Sequence, residues 1–331
     1  MYFRLTCNIR IETENKTVTF NKVNTVSINK SIDSIRSTAK IIIPKSAILK
    51  DIDGTKSSTQ TNIYFSQGNK VTINLAYNNT INQEFIGFIS KITAGDQTEI
   101  ELQGYEWQLR ENITPKSYKT TTLIEVLKYI TEGTDIVLMG DKIPNINMQN
   151  YVIPANLTKI EALQQIKQNY GITIYFIDNK LYAGLDFTNY LGEVKLSIGE
   201  NTIKDNNLQY FNEDERKFKV RAVQVNKDNT KFETEVGDSN GELRTLFFYT
   251  AKSKADLEKL ATAEMEKLKV SGYTGKITTF LLPYIQHGMV ANIRDINYPE
   301  RDGKFEVRSI DLSFGTGGAR RICKIGKKMS N

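Results

Sequence analysis

The stretch GNKVTI, residues 68–73, has a counterpart far downstream in GMVANI, residues 288–293. In the first stretch a glycine precedes a short run in which apolar and polar residues alternate, a pattern of period two that predicts a β-strand. In the second a glycine precedes a run of similar length that is rich in apolar residues. Both runs are followed by a turn, a second strand, a glycine turn, a third strand and another glycine. This shared order indicates two copies of one β-meander, although any two β-meanders have some of these features in common.

The two copies lie at corresponding places, because each ends a block of predicted strands. We therefore predict a mixed, mainly β fold, with two similar β-barrel-like domains and a small α+β domain between them. The matched positions are Gly68, Phe85, Ile89, Ile92, Gly95, Ile100 to Leu102 and Gly104 in the first copy, and Gly288, Phe305, Val307, Ile310, Gly315, Ile322 to Ile325 and Gly326 in the second.

The middle of the chain has helical rather than strand periodicity. Thr158 and Glu161 form a capping-box pattern ahead of an apolar stripe with helical spacing, and Gly171 ends it. We predict three domains: residues 1–110 as the first β-barrel-like domain, 111–190 as the α+β domain, and 191–331 as the second β-barrel-like domain with an inserted helix at 253–271.

The composition is that of an ordinary globular protein, with 39% hydrophobic and 25% charged residues among 331. No apolar run reaches the length of a membrane span, and the amino terminus lacks the pattern of a secretion signal. Cys7 and Cys323 are the only cysteines and have no metal-ligand spacing. We expect both to be buried and the chain to fold in a reducing cytoplasm.

The carboxyl-terminal stretch FGTGGARRICKIGKK, residues 314–328, superficially resembles a phosphate-binding loop. A phosphate loop leads into a helix, whereas this one leads into an alternating strand, so its glycines indicate a hairpin turn that needs positive φ. The net charge of +6 is mild, and this tail is where it is concentrated. Such a run is a solvated face or an interaction edge. The candidate partner-contact residues are Arg320, Arg321, Lys324, Lys327 and Lys328.

An enzyme is not favoured. His287 is the single histidine and falls in a predicted turn, where we expect a surface role rather than catalysis. The acidic run 213–215 is followed at once by two basic residues, which is typical of a solvated loop, and no Walker-type phosphate loop occurs. We predict no catalytic residues, no cofactor and no metal site. A tail-associated cell-wall-degrading enzyme remains a less favoured alternative, because a glycosidase pair of acids is not local in sequence.

Two binding functions are also open. Aromatic residues at 10% and a basic tail are compatible with a single-stranded nucleic-acid-binding β-barrel protein. The tyrosines and phenylalanines are spread along strands, however, where core packing or an interface explains them more simply. A carbohydrate-binding β-protein would show clustered tryptophans, and Trp107 is the only one.

The duplication has a geometric consequence. Three chains associated about a threefold axis would place six similar barrels in a ring, which is a pseudohexamer. Such an assembly can dock on a sixfold partner on one side and on a threefold partner on the other.

Several segments, spread over most of the chain, resemble one known family. The matching segments are FIGFISKI at 85–92, IELQGY at 100–105, residues 121–131, TKIEALQQIKQNYG at 158–171, residues 255–272, YTGKI at 273–277, RDGKFEV at 301–307 and SFGTGG at 313–318. These segments occur in the same order as in the baseplate hub proteins of phage tails and contractile injection systems. The chain therefore resembles that family, the late control protein D and Mu-like tail hub group. It departs from them at His287-Gly288, where the family has a proline–glycine turn, and at the polar excursion 46–68.

The resemblance implies a structural role in a phage tail. A member of this family is a homotrimeric adaptor that joins a sixfold tail tube to a trimeric spike or central fibre and lines the central channel. The implied partners are further copies of the chain, the tube protein and the spike or fibre protein, with non-specific passage of DNA. The implied location is the tail or baseplate of the virion, assembled in the host cytoplasm.

Overall fold

The computed structural model describes residues 4–14, 16–50, 56–60, 65–77, 80–140, 143–184, 191–203, 207–215, 217–269 and 271–329. Most of the strands belong to one 14-stranded sheet, and four smaller sheets flank it. The fold is mainly β, with two β-barrel-like parts separated by an α+β part, as the sequence predicted.

The first part of the chain is built from antiparallel strands. They are β1 Leu5–Glu12, β2 Thr17–Phe20, β3 Thr25–Ser31, β4 Thr38–Pro44, β5 Ser46–Lys50, β6 Lys56–Gln60, β7 Lys70–Tyr77, β8 Thr80–Ala94 and β9 Gln97–Gln103. Seven of them pair in the order β3-β4-β9-β8-β7-β1-β2. Their inward side chains, such as Ile9, Ile41, Ile73 and Ile100, form one apolar core. In the excursion 46–68, β5 and β6 form a separate hairpin.

The middle part has its own core, formed mainly by the buried faces of two helices and the strands they cover. Its elements are β10 Lys116–Thr122, α1 Leu123–Thr131, β11 Val137–Leu138, β12 Asn147–Ile153, α2 Lys159–Tyr170, β13 Thr173–Ile177 and β14 Lys180–Gly184. The predicted capping box at Thr158 and Glu161 is present, and Gly171 ends α2 with φ of +59°.

The last part contains the second set of barrel strands and an insertion. Its elements are β15 Glu193–Ile198, β16 Thr202–Ile203, β17 Leu208–Phe211, β18 Phe218–Val225, β19 Lys231–Gly237, β20 Glu242–Phe248, α3 Lys254–Leu268, β21 Gly272–Thr279, β22 Val290–Asp295, β23 Gly303–Gly315 and β24 Gly318–Lys328. The insertion is larger than the helix expected from the sequence. Strands β18, β19 and β20 form a separate sheet, and it packs on α3 around Leu257.

The two copies of the meander share a local hydrogen-bond arrangement. Gly68 and Gly288 have φ of +86° and +84°, a left-handed conformation that favours glycine. The Gly68 amide donates to the Ile89 carbonyl at 2.9 Å, and the Gly288 amide donates to the Val307 carbonyl at 2.9 Å. The Ile89 and Val307 amides in turn donate to the carbonyl of the residue that follows each glycine, Asn69 and Met289 respectively. A β-bulge follows at once in both strands, so the likeness goes beyond that of two generic meanders.

The carboxyl-terminal glycines form a hairpin turn, as expected. Gly315 pairs with Gly318 at the end of the β23–β24 hairpin, and Gly318 has φ of +105°. A Cβ at Gly315 would lie 2.3 Å from the Asn24 carbonyl oxygen, which requires glycine there. A strand rather than a helix follows the turn, so it lacks the helix amino terminus that a phosphate loop presents.

One strand pair joins the two barrels into a single sheet. Strand β3 of the first barrel pairs antiparallel with the outer half of β23 in the second, from Ser309 opposite Ser31 to Gly315 opposite Thr25. The sheet therefore runs without a break through β21-β24-β23-β3-β4-β9-β8.

Candidate assembly and channel surface

The continuous sheet presents one polar face across both barrels. Its strand registers align side chains from six neighbouring strands in one row across that face: Arg320, Ser313, Ser27, Lys40, Glu101 and Lys91. The next row on the same face comprises Ile322, Asp311, Asn29, Thr38 and Gln103. Between the two rows, Leu312, Ile28, Ala39 and Leu102 point to the other side and are buried. The alternation of these strands thus separates a polar face from the core.

The polar face is concave where the barrels meet. A hollow of about 470 Å³ lies over strands β23, β3, β4 and β9. Hydroxyl and amide side chains dominate its rim, among them Ser27, Asn29, Thr38, Gln103 and Ser313. Aromatic side chains are not among the residues that line this hollow.

Charges of both signs are interspersed on this face. Lys40 Nζ lies 2.6 Å from Glu99 Oε2, and Lys91 Nζ lies 4.0 Å from Glu101 Oε1. The Asn29 amide donates a hydrogen bond to Asp311 at the strand pair that joins the barrels. Exposed pairs of this kind contribute little to stability, on the order of 0–1 kcal/mol each. Their main effect is to keep the face hydrated and its net charge close to zero.

Two of the predicted partner-contact residues lie on this face. Arg320 and Lys324 are exposed and occupy alternate positions of β24. The Arg320 guanidinium packs 5.0 Å from the centre of the Phe280 ring, and Phe280 is itself 38% exposed. Both residues remain predictions as partner contacts.

The prediction for Arg321 is wrong. Its side chain is fully buried, because the alternation of β24 turns it to the core face together with Cys323 and Ile325. Its guanidinium donates to Glu84 Oε1 at 2.5 Å, and Glu84 is also buried. Since Arg321 lies in the second barrel and Glu84 in β8 of the first, this ion pair holds the two barrels together. It has no surface left for a partner.

Lys327 and Lys328 lie at the carboxyl end of β24 and contact β23. Lys327 Nζ is 3.8 Å from the buried Glu306 carboxylate, and the Lys328 side chain covers Gly303. Both lysines are partly accessible, and as partner contacts they stay predictions.

A buried polar junction connects all three parts of the chain. His287 is fully buried, and its Nε2 donates to the Phe176 carbonyl at 2.8 Å, which joins the second barrel to the α+β part. Burial lowers the pKa of His287 to about 3, and the positive charge of Lys30 adds to this effect. Lys30, on β3 of the first barrel, is also buried, and burial lowers its pKa. The expected surface role of His287 is therefore wrong; it is a neutral packing residue.

Neither cysteine presents its thiol at the surface. Cys7 and Cys323 are both buried, as expected, and burial raises the pKa of the Cys323 thiol to about 12. Within the described ranges, no three or more His, Cys, Asp and Glu side chains come together to hold a metal ion. The helices in those same ranges are all too short or too polar to span a membrane.

Comparison with known proteins places the fold. No family model matches the sequence, and the search of curated proteins gives no match. Solved structures do match over nearly the whole chain. A tail protein from Neisseria meningitidis MC58 is 15% identical, with a TM-score of 0.61 over 98% of this chain and 97% of that one. The 43 kDa tail protein of prophage MuSo2 from Shewanella oneidensis is 13% identical, with a TM-score of 0.59 over 96% and 97%.

A secretion protein has the same architecture. A component of the E. coli type VI secretion system, described as structurally similar to tail proteins of bacteriophage T4, is 9% identical. Its TM-score is 0.59, over 98% of this chain and 77% of that one. The resemblance suggested by the sequence is thus confirmed as a likeness in fold: this chain has the fold of phage tail proteins and of a related secretion component.

Proposed function

We propose that the chain is a structural tail hub, a homotrimeric, pseudohexameric adaptor that joins a sixfold tail tube to a threefold spike or central fibre. The observation that carries this proposal is the pair of equivalent barrels joined in one sheet through β23 and β3. One chain then supplies two sixths of a ring, and three chains complete it. The likeness in fold to tail proteins supports the same conclusion.

The polar sheet face lines the central channel in this account. It is the concave surface that the two barrels share, and its rows of Ser, Thr, Asn and Gln side chains stay hydrated without a partner. Because its charges alternate in sign, a passing polyanion or extended polypeptide meets no strongly attractive patch. Such a wall permits the non-specific passage of DNA without the tight, salt-sensitive binding that clustered cations produce.

The function is association rather than catalysis. His287 is neutral, buried and bound to a backbone carbonyl, and Cys323 is a buried thiol. Tyr273 and Phe305 are buried in the core of the second barrel. Phe280 and Tyr298 are exposed, and each ring is covered by an arginine of the same chain, Arg320 and Arg301 respectively. Partner recognition then rests on strand edges, apolar patches and complementary charge. We infer a location in the tail or baseplate of the virion, reached by assembly in the host cytoplasm.

Mass measurement and co-purification test this proposal together. Light scattering across a range of concentrations should give three times the mass of a single chain, either alone or once the tube or spike protein is added. Pull-down of the tagged chain should recover the tube and spike proteins from infected cells. A chain that stays monomeric with both partners present would contradict the proposal. A monomer that binds single-stranded DNA tightly and in a salt-sensitive way would favour the nucleic-acid-binding alternative instead.

A further inference from the structure

The strand pair that joins the barrels uses a defined edge of β23. Beyond its bulge, β23 pairs with β24 on one side and with β3 on the other. On the β3 side, Ile310 lies opposite Lys30, Asp311 opposite Asn29, and Leu312 opposite Ile28. This is the way in which one barrel of the chain meets the next.

The first barrel has the equivalent edge on β8. Ile89 and Val307 are equivalent, because each bonds the positive-φ glycine that begins its meander and each precedes a bulge. Residues 92–94 of β8 lie three to five positions after Ile89, and residues 310–312 of β23 lie three to five positions after Val307. The two segments therefore correspond. Residues 92–94 of β8 pair with β9 on one side. On the other side β8 pairs with β7, but that pairing extends only as far as Phe88. No strand in the described parts of the chain pairs with their other side.

The counterpart of β3 in the second barrel is β17. A row of paired residues can be followed across four strands in each barrel. In the first barrel the row runs from Ile28 on β3 through Ala39 and Leu102 to Ile89 on β8. In the second barrel it runs from Leu208 on β17 through Gly275 and Ile325 to Val307 on β23, the residue equivalent to Ile89. Leu208, Gln209 and Tyr210 therefore correspond to Ile28, Asn29 and Lys30. Strand β17 pairs with β21 alone among the described strands.

We propose that β8 of one chain pairs antiparallel with β17 of a second copy, with Ile92 opposite Tyr210, Thr93 opposite Gln209, and Ala94 opposite Leu208. This inference rests on the trimer proposed above and specifies its contact. The β8–β17 pairing between two chains would have the same register as the β23–β3 pairing within one chain. Exposed strand edges are ready templates for such pairing, and the same contact made three times closes a ring.

The side chains at the proposed contact suit the pairing. Ile92 and Tyr210 are each half-buried in the single chain, and a branched residue opposite an aromatic one is a favourable cross-strand pair. Thr93 and Gln209 are exposed and take the places of Asp311 and Asn29, which hydrogen-bond to each other across the junction within the chain. A hydroxyl and an amide can form the same kind of hydrogen bond.

A disulfide between the two edges tests the pairing in the full-length chain. In Thr93→Cys/Gln209→Cys the new cysteines lie directly opposite each other, within the distance that a disulfide spans. Mild oxidation should give covalent dimers and trimers on a non-reducing gel, with a final shift to three times the single-chain mass. The native cysteines are buried and stay out of the reaction.

The matched control is Thr17→Cys/Gln209→Cys, which offers the edge strand β2 in place of β8. Thr17 is exposed, and β2 ends the strand order of the sheet. This control and the two single variants should give no covalent trimer. An equal yield from the control, or a ladder that continues beyond three chains, overturns the inference.

The failure of this inference differs from that of the trimer itself. If light scattering shows a trimer for the double variant but oxidation links no chains, the β8–β17 contact is overturned while the hub proposal stands. If the variant and the natural chain are both monomeric with tube and spike proteins present, the hub proposal and the contact fall together.

Discussion

The two barrels share their meander but differ in the connection that precedes it. In the first barrel, β3 leads into β4 through residues 32–37, whereas in the second, β17 leads into β21 through residues 212–271. The longer connection adds a three-stranded sheet and α3 with a core of their own. The pairing of the meander strands is the same in both barrels despite this insertion. The common part is thus the sheet that joins the barrels, and the variable part lies in a connection outside it.

The largest effect is expected where the barrels are joined. Arg321→Met leaves the buried Glu84 carboxylate without its cation, which should lower the free energy of unfolding by about 3–5 kcal/mol. Urea denaturation followed by circular dichroism measures the change. The neighbouring Arg320→Met, on the exposed face, should change it by no more than about 0.5 kcal/mol.

A second variant separates the charge from the packing at this site. The double change Arg321→Met/Glu84→Met replaces the pair with apolar side chains and should regain much of the lost stability. If Arg321→Met alone is as stable as the natural chain, the ion pair does not hold the barrels together.

A buried carboxylate, Glu106, should make the stability of the first barrel depend on pH. Glu106 Oε1 accepts hydrogen bonds from the Ser37 and Gly104 amides, while burial raises the pKa of the carboxyl from 4.5 to about 7. The buried Glu306 of the second barrel differs from Glu106 in having a cation beside it, because Arg308 Nη1 donates to Glu306 Oε2 at 2.8 Å. Since the pKa of Glu106 is raised on folding, the protonated carboxyl stabilises the folded state. This stabilisation is fully present below pH 4.5 and is lost as the pH rises to about 7.

The loss across that window should be on the order of 3 kcal/mol. Glu106→Gln, which cannot ionise, should flatten the dependence of unfolding free energy on pH between 4.5 and 7. An unchanged slope in this variant would show that other groups cause it.

The two equivalent glycines should respond in the same direction but to different extents. At both positions alanine would adopt a strained positive φ, with a cost of about 1–3 kcal/mol. Gly288→Ala should cost more than Gly68→Ala, because its Cβ would lie 3.4 Å from Ile177 and Tyr175, whereas the Cβ at Gly68 has only Trp107 at 4.0 Å. Thermal unfolding of both variants measures the difference, and a Gly68→Ala variant that loses more stability would contradict it. Gly317→Ala, with open space around its Cβ, is the control.

The smallest effect is expected on the polar face. Lys40→Met removes the ion pair with Glu99, which is partly exposed, so the free energy of unfolding should fall by less than about 1 kcal/mol. Urea titration in low and high salt checks this, since the small loss should shrink further as salt screens the pair. A loss as large as that of Arg321→Met would show that this face is part of the core.

Local patterns in the sequence predicted the elements that depend on neighbouring residues. The capping box of α2, the glycine turn between β23 and β24 and the two meanders all follow from short stretches whose conformations are set locally. The parallel pairing of β18 with β20 in a separate sheet was not predictable, because no local pattern in either strand specifies its partner.

The candidate site was predicted less well. A run of basic residues indicates a charged surface only if every side chain in it faces solvent, and in a strand alternate residues face opposite sides. The apolar positions Ala319, Cys323 and Ile325 share a side with Arg321, and this signal pointed to its burial. The carbonyl of Phe176 that binds His287 is 111 residues away, so no local pattern reveals it. The polar row through Ser27 and Lys40 was visible as alternation within β3 and β4, but only the register shows that the two strands form one surface.

Electron microscopy of the chain bound to its tube protein tests the central claim most directly. Views along the tail axis should show six similar lobes around an open channel, with the lobes alternating in detail because three chains supply two barrels each. The same images should place the insertion 212–271 outside the ring on every second lobe. A particle in which each chain forms a single lobe, or in which the two barrels of a chain lie at different levels of the axis, would contradict the account.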